Sequence, residues 1–327
     1  MTDETHTLKS SLTGLSKRAW AGAVADIVDQ DGYFEPLGRR HFAAFVEKGT
    51  TLLVSFETLQ GIQALSDLAQ PLGWDLVREQ GWSHLCLGSD GDTWFRDQAV
   101  YGYFDRLIDD GFFDEFDRVL FYGAGPCAYA AAAFSVAAPG ARVVAIQPQA
   151  TLDPRVTEWD SRFTDMRIVD FTSRYGYAPD MLDAAEQAYV LYDPREQLDA
   201  MHAALFTRAN VTKLRMRFMG DALQTDLLDM DQWSNLLVAA AQDTLSELHF
   251  ARMYRERRDH RSYLRNLLTA LEREERTLLA AALCRNVTSR MRARMFAARL
   301  GRLEAKLNGE TDAGGGSAGT QGTKGTV

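Results

Sequence analysis

The chain has few cysteines and no long apolar segment. Only three of its 327 residues are cysteine, and Cys86, Cys127 and Cys284 lie far apart, in no spacing typical of a disulfide framework or a metal site. A reducing cytoplasm is therefore the expected compartment. No run of roughly 18 apolar residues occurs, so no membrane-spanning helix is expected. The first residues lack the apolar core of a secretory signal, so no such signal is expected either.

Histidine is also scarce. The six histidines show no H-x-x-x-H or H-E-x-x-H spacing, so neither a metal site nor a cofactor is expected. His84, inside a short apolar run, is interpreted as a core residue. His202, in a predicted helix, either packs within the protein or faces a cleft.

Negative charge exceeds positive charge overall, but not along the whole chain. The formal net charge is −9, yet residues 250–306 hold fifteen Lys and Arg against six Asp and Glu, which leaves −18 for the rest. Either this basic segment docks on the acidic body, or it binds phosphate, nucleic acid or lipid headgroups. The acidic total argues against broad nucleic-acid affinity, and no nucleic acid is expected as a partner.

Short apolar runs alternate with helical patterns through most of the chain. Strands that are apolar throughout and separated by helices indicate an α/β fold with a mostly parallel sheet and helices on both faces. The predicted strands are 51–56, 83–87, 118–122, 142–146, 188–192 and 211–218.

The pattern also predicts four segments. Residues 1–15 are polar and expected to be flexible, and 16–231 form the α/β domain. Residues 232–307 are rich in Leu, Ala and Arg, with no strand signal, and predict an all-helical C-terminal unit. Residues 308–327 are rich in Gly, Ser and Thr and are expected to be disordered.

The most informative segment is a strand, a small-residue turn and an alanine-rich helix near residues 118–133. It resembles α/β-hydrolase-like proteins of bacterial surface-polysaccharide and glycosyltransferase systems, which carry F-Y-G-x-S-x-G-G-Y-A-A and, after a strand, P-Q-x-x-L-D-P. The likeness implies an α/β-hydrolase-like sheet. It spans about residues 40–225 and rests on four matched segments: 121–123, 129–131, 146–154 and 159–163.

The chain departs from this family where catalysis requires specific residues. The serine position is Gly125, and the histidine position, in a Gly-His step after the last strand, is Asp221. The acid position, Asp193, is retained. Nucleophilic catalysis needs an activatable atom beside an oriented base. A degenerate triad at Gly125, Asp193 and Asp221 is therefore predicted.

Cys127 is the one residue near the turn that offers an alternative nucleophile. A cysteine near a helix N-terminus can have a lowered thiol pKa, and catalysis would then use Cys127, Asp193 and a histidine such as His202. However, Tyr129 stands where a small residue is required. The competing interpretation is a small apolar side chain packed at a helix start.

Two further segments are candidate binding sites. The loop that follows the predicted strand 142–146 lies where open α/β sheets bind ligands, and it either binds a sugar or anion or is held by Asp–Arg pairs. In the other segment, Glu57 and Thr58 are expected beside the cleft. Residues 54–65 also loosely resemble the pyrophosphate loop of phosphoadenosine phosphosulfate (PAPS) reductases, but that family's C-terminal catalytic cysteine motif is missing. The candidates in the loop are Asp153, Arg155, Trp159, Asp160 and Arg162.

The sequence thus favours a catalytically degenerate α/β-hydrolase-like protein that binds a ligand or serves as a scaffold, and the resemblance implies a role in surface-glycan biosynthesis. The expected partner is a protein or a small acidic or sugar ligand. Three alternatives stay open: a hydrolase or acyl or sulfuryl transferase using Cys127, a PAPS reductase-type enzyme, and a module whose basic helices bind an acidic partner.

Overall fold

The computed structural model describes residues 7–314, with side chains described up to residue 308. Within that range one sheet contains eight strands: β1 (Gly32–Leu37), β2 (His41–Val46), β3 (Thr51–Thr58), β4 (Ser83–Ser89), β5 (Arg118–Ala124), β6 (Arg142–Ile146), β7 (Gln187–Tyr192) and β8 (Val211–Arg215).

The order of the strands across the sheet is β1-β2-β4-β3-β5-β6-β7-β8. β2 runs antiparallel to both β1 and β4, and the other neighbouring strands run parallel. This order and these directions are those of the α/β-hydrolase fold. The predicted fold class is therefore confirmed, and each strand predicted from the sequence is present.

The helices of the sheet-containing part are α1 (Lys17–Val28), α2 (Leu59–Leu65), α3 (Trp74–Gln80), α4 (Gln98–Asp109), α5 (Pro126–Phe134), α6 (Pro154–Thr157), α7 (Ala178–Met181), α8 (Gln197–Leu205), α9 (Leu223–Asp229), α10 (Trp233–Ala241) and α11 (Glu247–Met253). The helices that follow are α12 (Arg261–Arg273), α13 (Thr277–Arg290) and α14 (Arg294–Gly314). Short 3-10 helices occupy Phe112–Glu115, Ser135–Ala137, Thr164–Ile168, Leu182–Ala184 and Tyr254–Arg258. No helix in the described range is long and apolar enough to cross a membrane.

α5 is buried from Cys127 to Phe134, and most of its side chains are small. Four consecutive alanines, 130–133, are fully buried, and they let the helix pack directly on the sheet. At its C-terminal end Phe134 stacks on Phe104, with ring centroids 4.6 Å apart. The helix that begins at the predicted turn is thus fixed in position by core packing.

The hairpin β1–β2 is absent from the sequence-based prediction. Pro36 lies inside β1, and proline removes a backbone donor, so it is confined to edge strands. Gly38, with φ +66°, forms the turn. β1 is also only partly buried, so it lacks the continuous apolar run by which the other strands are recognised.

The helical C-terminal part begins later than predicted. One compact unit extends to Glu256 and a second begins at Arg257, whereas the predicted boundary is 231/232. α10 belongs to the first unit because it packs on β5 and β6. Its Trp233 ring lies 5.4 Å from the Tyr122 ring of β5, measured between centroids.

Both chain ends differ from the prediction where they are described. Leu12, within the segment predicted to be flexible, is buried, and its N–H donates to the Leu68 carbonyl at 2.8 Å. α14 continues to Gly314, so the predicted disordered tail 308–327 begins inside a helix. Residues 1–6 and 315–327 of these two predictions lie outside the described residues.

Candidate functional site

The strand-to-helix turn has the geometry of a nucleophile elbow. Gly125 links β5 directly to α5 with φ +59° and ψ −126°, a conformation that glycine adopts most readily. A Cβ on Gly123 would lie 2.2 Å from the Cys127 carbonyl oxygen, so the turn requires glycine there. A Cβ on Gly125 would meet nothing within 4 Å. The space for a nucleophilic side chain is present, but no side chain occupies it.

The residue after Gly125 removes a second catalytic element. In α/β-hydrolases the backbone N–H of the residue after the nucleophile donates to the oxyanion. Here that residue is Pro126, the first residue of α5, and proline has no N–H. The elbow therefore lacks both the nucleophile and one of the donors that would stabilise a tetrahedral intermediate.

The acid position is occupied, but its carboxylate bonds to the backbone. Asp193 follows β7 and is buried. Its Oδ1 accepts from the Arg195 N–H at 2.9 Å, and its Oδ2 accepts from the Gly220 N–H at 2.8 Å. Asp221, at the histidine position, is exposed and lines the cavity beside Gly125. Gly125 and Asp221 thus line one cleft, and the Asp193 carboxylate is hydrogen-bonded to the residue before Asp221.

A polar cleft of about 310 Å³ lies beside Gly125 and Pro126. It sits at the carboxyl ends of β5 and β6, where α/β sheets bind ligands. The side chains that give the cleft its polar character are Gln147, Gln149, Arg162, Asp199, Asp221, Gln224 and Thr225.

Arg162 is held rigidly at one wall of this cleft. Its Nη1 donates to Asp199 Oδ1 at 2.6 Å, and its Nη2 donates to Asp160 Oδ2 at 2.8 Å. Gln147 continues the chain of contacts, since its Nε2 donates to Asp199 Oδ2 at 2.8 Å. Two carboxylates thus outnumber the one guanidinium, so the wall offers fixed hydrogen-bonding groups with no excess positive charge.

His202 supports this wall and does not meet Cys127. Nδ1 of the fully buried ring accepts from the Ala150 N–H at 3.2 Å, which places the proton on Nε2, 3.0 Å from Asp160 Oδ2. Burial lowers the pKa of His202, and the Asp160 hydrogen bond partly opposes this. For Asp160, burial alone would raise the pKa, but the bonds from Arg162 and His202 outweigh it and lower the pKa.

Cys127 lines a second, smaller cavity together with Glu57 and Thr58. Burial raises the pKa of the Cys127 thiol well above its usual value, and the Glu57 and Asp92 carboxylates raise it further. Among the described residues no histidine hydrogen-bonds the Cys127 sulfur. The structure therefore does not bring together Cys127, Asp193 and His202, the three residues of the alternative catalytic site.

Glu57 lies at the wall of this second cavity and is buried. Its Oε1 accepts from the Ser55 hydroxyl at 2.6 Å, and its Oε2 accepts from the Leu72 N–H at 3.0 Å. Burial raises the pKa of Glu57, partly offset by these hydrogen bonds. The Ser55 oxygen also lies 2.8 Å from His84 Nε2. His84 is thus part of a chain of buried, hydrogen-bonded side chains, in agreement with its interpretation as a core residue.

The remaining candidates of the predicted binding loop stabilise the loop itself. Asp153 caps α6 by accepting from the Arg155 N–H at 3.0 Å, and its carboxylate also binds the Arg155 guanidinium. The Trp159 ring lies against His202, with centroids 4.7 Å apart. Of the five predicted loop residues, Arg162 is the one that lines the cleft.

Residues 54–65, which loosely resemble a pyrophosphate loop, do not form an anion-binding site. β3 runs directly into α2, and the Gly61 N–H is already bonded to the Thr58 hydroxyl oxygen at 2.9 Å. The Ser55 hydroxyl is buried and bonded to Glu57. No group of three or more His, Cys, Asp or Glu that could hold a metal occurs in the described part of the chain.

Several cleft residues are absent from the sequence-based candidates. Gln147 and Gln149 directly follow a predicted strand, so the rule that ligands gather at strand ends would have included them. Pro126 follows Gly125 directly, and its missing N–H is readable from the sequence. Asp199 and Gln224 have no such signal, because they reach the cleft from helices α8 and α9.

Comparison with protein-family models and with curated proteins finds no match. Solved structures similar to this chain include Est1E from Butyrivibrio proteoclasticus, with 12% identity over 67% of this chain and 99% of that chain, and a TM-score of 0.41. A brefeldin A esterase, described as a bacterial homologue of human hormone sensitive lipase, shares 12% identity over 69% of this chain and 76% of its own, with a TM-score of 0.40.

The Glycosylation Associate Protein (Gap123) complex from Streptococcus agalactiae is also similar. It shares 11% identity over 65% of this chain and 47% of that chain, with a TM-score of 0.42. This chain thus spans about half of that neighbour's length. The assignment of the fold rests on the strand order and directions described above.

Proposed function

We propose that this protein is a catalytically degenerate α/β-hydrolase-fold protein that binds a ligand in the cleft beside Gly125 without cleaving it. The carrying observation is the Gly125-Pro126 pair, which removes the nucleophile and an oxyanion donor from one turn. Asp221 in place of the histidine removes the base as well. The cleft itself persists, with Arg162 rigidly held at its wall.

Hydrolysis assays test this proposal. With 4-nitrophenyl acetate, 4-nitrophenyl butyrate and acetyl thioesters, we expect the purified protein to match the buffer rate. Gly125→Ser alone should stay inactive, because neither the base nor the Pro126 donor is restored. Activity above the buffer rate is expected only after Pro126→Ala and Asp221→His are added.

Wild-type hydrolysis that disappears in Cys127→Ala would overturn the proposal. It would instead favour an enzyme using that thiol. Cys86→Ala is the matched control, because Cys86 is another buried thiol near Glu57 and removing it changes the core but not the elbow.

The second compact unit supports a second candidate function, the binding of an acidic partner. The turn between α13 and α14 forms a groove lined by Arg290, Arg292 and Arg294. Arg290 is paired with Asp259, whereas Arg292 and Arg294 have no ion pair among the described residues. An exposed basic groove of this kind attracts polyanions, with strong dependence on salt.

Heparin is a suitable polyanionic probe for this groove. Binding should weaken from 50 to 300 mM NaCl and be lost in Arg292→Ala/Arg294→Ala. Binding that ignores salt, or that survives this double substitution, would exclude the groove. Arg273→Ala/Arg302→Ala, which removes two exposed arginines outside the groove, is the charge-matched control.

We also propose a cytoplasmic location and a role in surface-glycan production. The three free, buried cysteines support the location. The sequence resemblance around residues 146–154 and 159–163 supports the role. Fractionation of the native host cells tests the first proposal, and the surface-glycan profile of a deletion strain tests the second.

A further inference from the structure

The cleft beside Gly125 and the cavity beside Cys127 have a common wall. Ala124, Pro126 and Gln224 line both spaces, which measure about 310 and about 110 Å³. We call the smaller one the inner chamber. Because the same three residues line both spaces, the two spaces border each other, and a ligand that extends past these residues would have one part in each space.

The inner chamber is mostly apolar and small. Phe56, Ile62, Leu65 and Leu72 form its walls together with Cys127. An apolar cavity of about 150 Å³ holds benzene, so a space of about 110 Å³ accepts a group smaller than a benzene ring, such as a short acyl chain.

The charged residues that line the inner chamber further limit the kind of ligand group that it can hold. Glu57 and Asp92 line the inner chamber, and no Lys or Arg lines it. A carboxylate or phosphate placed there would meet two acidic groups without a counter-ion. The chamber therefore favours an uncharged tail.

The cleft, in contrast to the inner chamber, is lined mainly by polar and charged side chains. Gln147, Gln149 and Thr225 line it. The two carboxamides already bond to protein groups through one N–H and one oxygen lone pair each, so each keeps one further N–H and one further lone pair, and the Thr225 hydroxyl can donate and accept. Arg162 is the cation of its lining, and Asp199 and Asp221 are two anions, so the walls have a net negative charge. Such a surface suits an uncharged, hydroxylated head more than an anionic one.

Gln224 stands where the two spaces meet. Its side chain is half-buried, and its carboxamide has no hydrogen-bond partner among the described residues. A carboxamide left without a partner beside an apolar space is placed to bond a ligand's polar group. An ester or amide carbonyl between head and tail would occupy that position.

We propose that the ligand is an uncharged polyol or sugar carrying a short acyl group, with the head in the cleft, the acyl chain in the inner chamber and the linking carbonyl at Gln224. This inference rests on the proposed ligand-binding function and names the chemical class of its ligand. Because the elbow lacks a nucleophile, the acyl group stays intact.

Calorimetric titration with N-acyl-N-methylglucamines tests the inference, because these probes share one uncharged head and differ only in the tail. Sorbitol serves as the head without an acyl group. We expect the acetyl and butanoyl probes to bind, with about a fifteenfold gain from acetyl to butanoyl, since butanoyl has two more methylenes and each buried methylene adds about fourfold. The octanoyl and the anionic succinyl probes should lose that gain.

Substitutions test whether the acyl group binds in the inner chamber. Leu65→Trp should fill the inner chamber and reduce the butanoyl affinity to that of sorbitol, and Ile62→Phe should do the same if Leu65→Trp fails to fold. Gln224→Ala should weaken the acylated probes about tenfold, as expected for loss of one buried hydrogen bond. Gln242→Ala, an exposed glutamine outside both spaces, should change nothing.

The outcomes separate this inference from the function on which it rests. Equal affinity for sorbitol and the acylated probes would overturn the acyl chamber and leave ligand binding in the cleft intact. Absence of binding by every probe would overturn the proposed ligand class, while the hydrolysis assays still decide whether the fold is inactive. Cleavage of the amide bond would overturn the inactive function itself.

Discussion

The Asp193 carboxylate accepts a hydrogen bond from the backbone N–H of Gly220 at 2.8 Å. Gly220 directly precedes Asp221, the position predicted from the sequence for a catalytic histidine. The carboxylate that would orient an imidazole in an active hydrolase is thus bonded to the backbone of the same loop. Asp193 therefore has a structural role, because its carboxylate holds the end of β7 beside the loop after β8.

Replacing Asp193 should therefore lower the free energy of unfolding without changing the kind of ligand that the protein binds. Asp193→Ala leaves the N–H groups of Arg195 and Gly220 without their acceptor, so we expect a loss of about 2–4 kcal/mol in the free energy of unfolding. Asp193→Asn keeps one acceptor and should lose less. Urea denaturation measures both, and equal losses in the two variants would contradict this explanation.

The elbow glycines should differ in their tolerance of alanine. In Gly123→Ala the new Cβ would lie 2.2 Å from the Cys127 carbonyl, so the backbone must shift, and we expect a loss of about 3 kcal/mol or more. In Gly125→Ala the Cβ meets no atom, and the cost is that of the sparsely populated backbone conformation alone, about 1–3 kcal/mol. Thermal unfolding of the two variants gives the comparison, and the reverse order would contradict this geometry of the turn.

The sequence predicts the parallel part of the sheet because its strands are apolar throughout. The run at 142–146 corresponds residue for residue to β6. In the edge hairpin, β1 has no such signal, since it is half exposed and contains Pro36. β2 does contain a mostly buried apolar run at residues 42–46, which the prediction lacks. The predicted boundary at 231/232 differs from the division at Glu256/Arg257, because a helix rich in Leu and Ala, such as α10, has the same sequence pattern whether it packs on a sheet or on other helices.

The site is partly readable from the sequence. Gly125, Asp193 and Asp221 follow strands, so their grouping depends on the strand order alone. Whether a residue lines a cleft depends on side-chain direction, which periodicity does not give. Asp153 and Arg162 lie in one predicted loop, yet Asp153 caps a helix and Arg162 lines the cleft.

The cysteines should be unreactive in the folded protein. Cys86, Cys127 and Cys284 are all buried, and burial raises the pKa of each thiol. With DTNB at pH 8 we expect modification at least about 100-fold slower than in 6 M guanidinium, because reaction requires local opening. Stoichiometric modification within minutes that is absent in Cys127→Ser would instead reveal an accessible thiol at the elbow.

Truncation should separate the two compact units at the observed boundary. A chain ending at Glu256 keeps α10 on the sheet, so we expect it to unfold cooperatively. A chain ending at residue 231 lacks Trp233 and exposes the face of Tyr122, so it should aggregate or bind the dye ANS. Similar cooperative unfolding of both truncations would support the boundary read from the sequence.

Stability should fall in mild acid because of His84. This ring is fully buried, and burial lowers its pKa to about 3 from the usual 6.5. Between these values the unfolded chain binds a proton that the folded chain does not, so stability decreases as pH falls below about 6.5. The slope from this one group is about 1.4 kcal/mol per pH unit. His41, with a pKa lowered by burial to about 4, adds to the effect.

His84→Gln isolates this contribution, since glutamine keeps a group that can bond to Ser55 but does not titrate. Glu57 acts in the opposite direction, because burial raises its pKa and the folded chain holds its proton to higher pH. Its effect is common to both proteins and largely cancels in their difference. All six tryptophans precede Glu256, so tryptophan fluorescence in urea reports on the sheet-containing unit. Parallel stability curves for wild type and His84→Gln between pH 7 and 5 would show that His84 is not the group responsible.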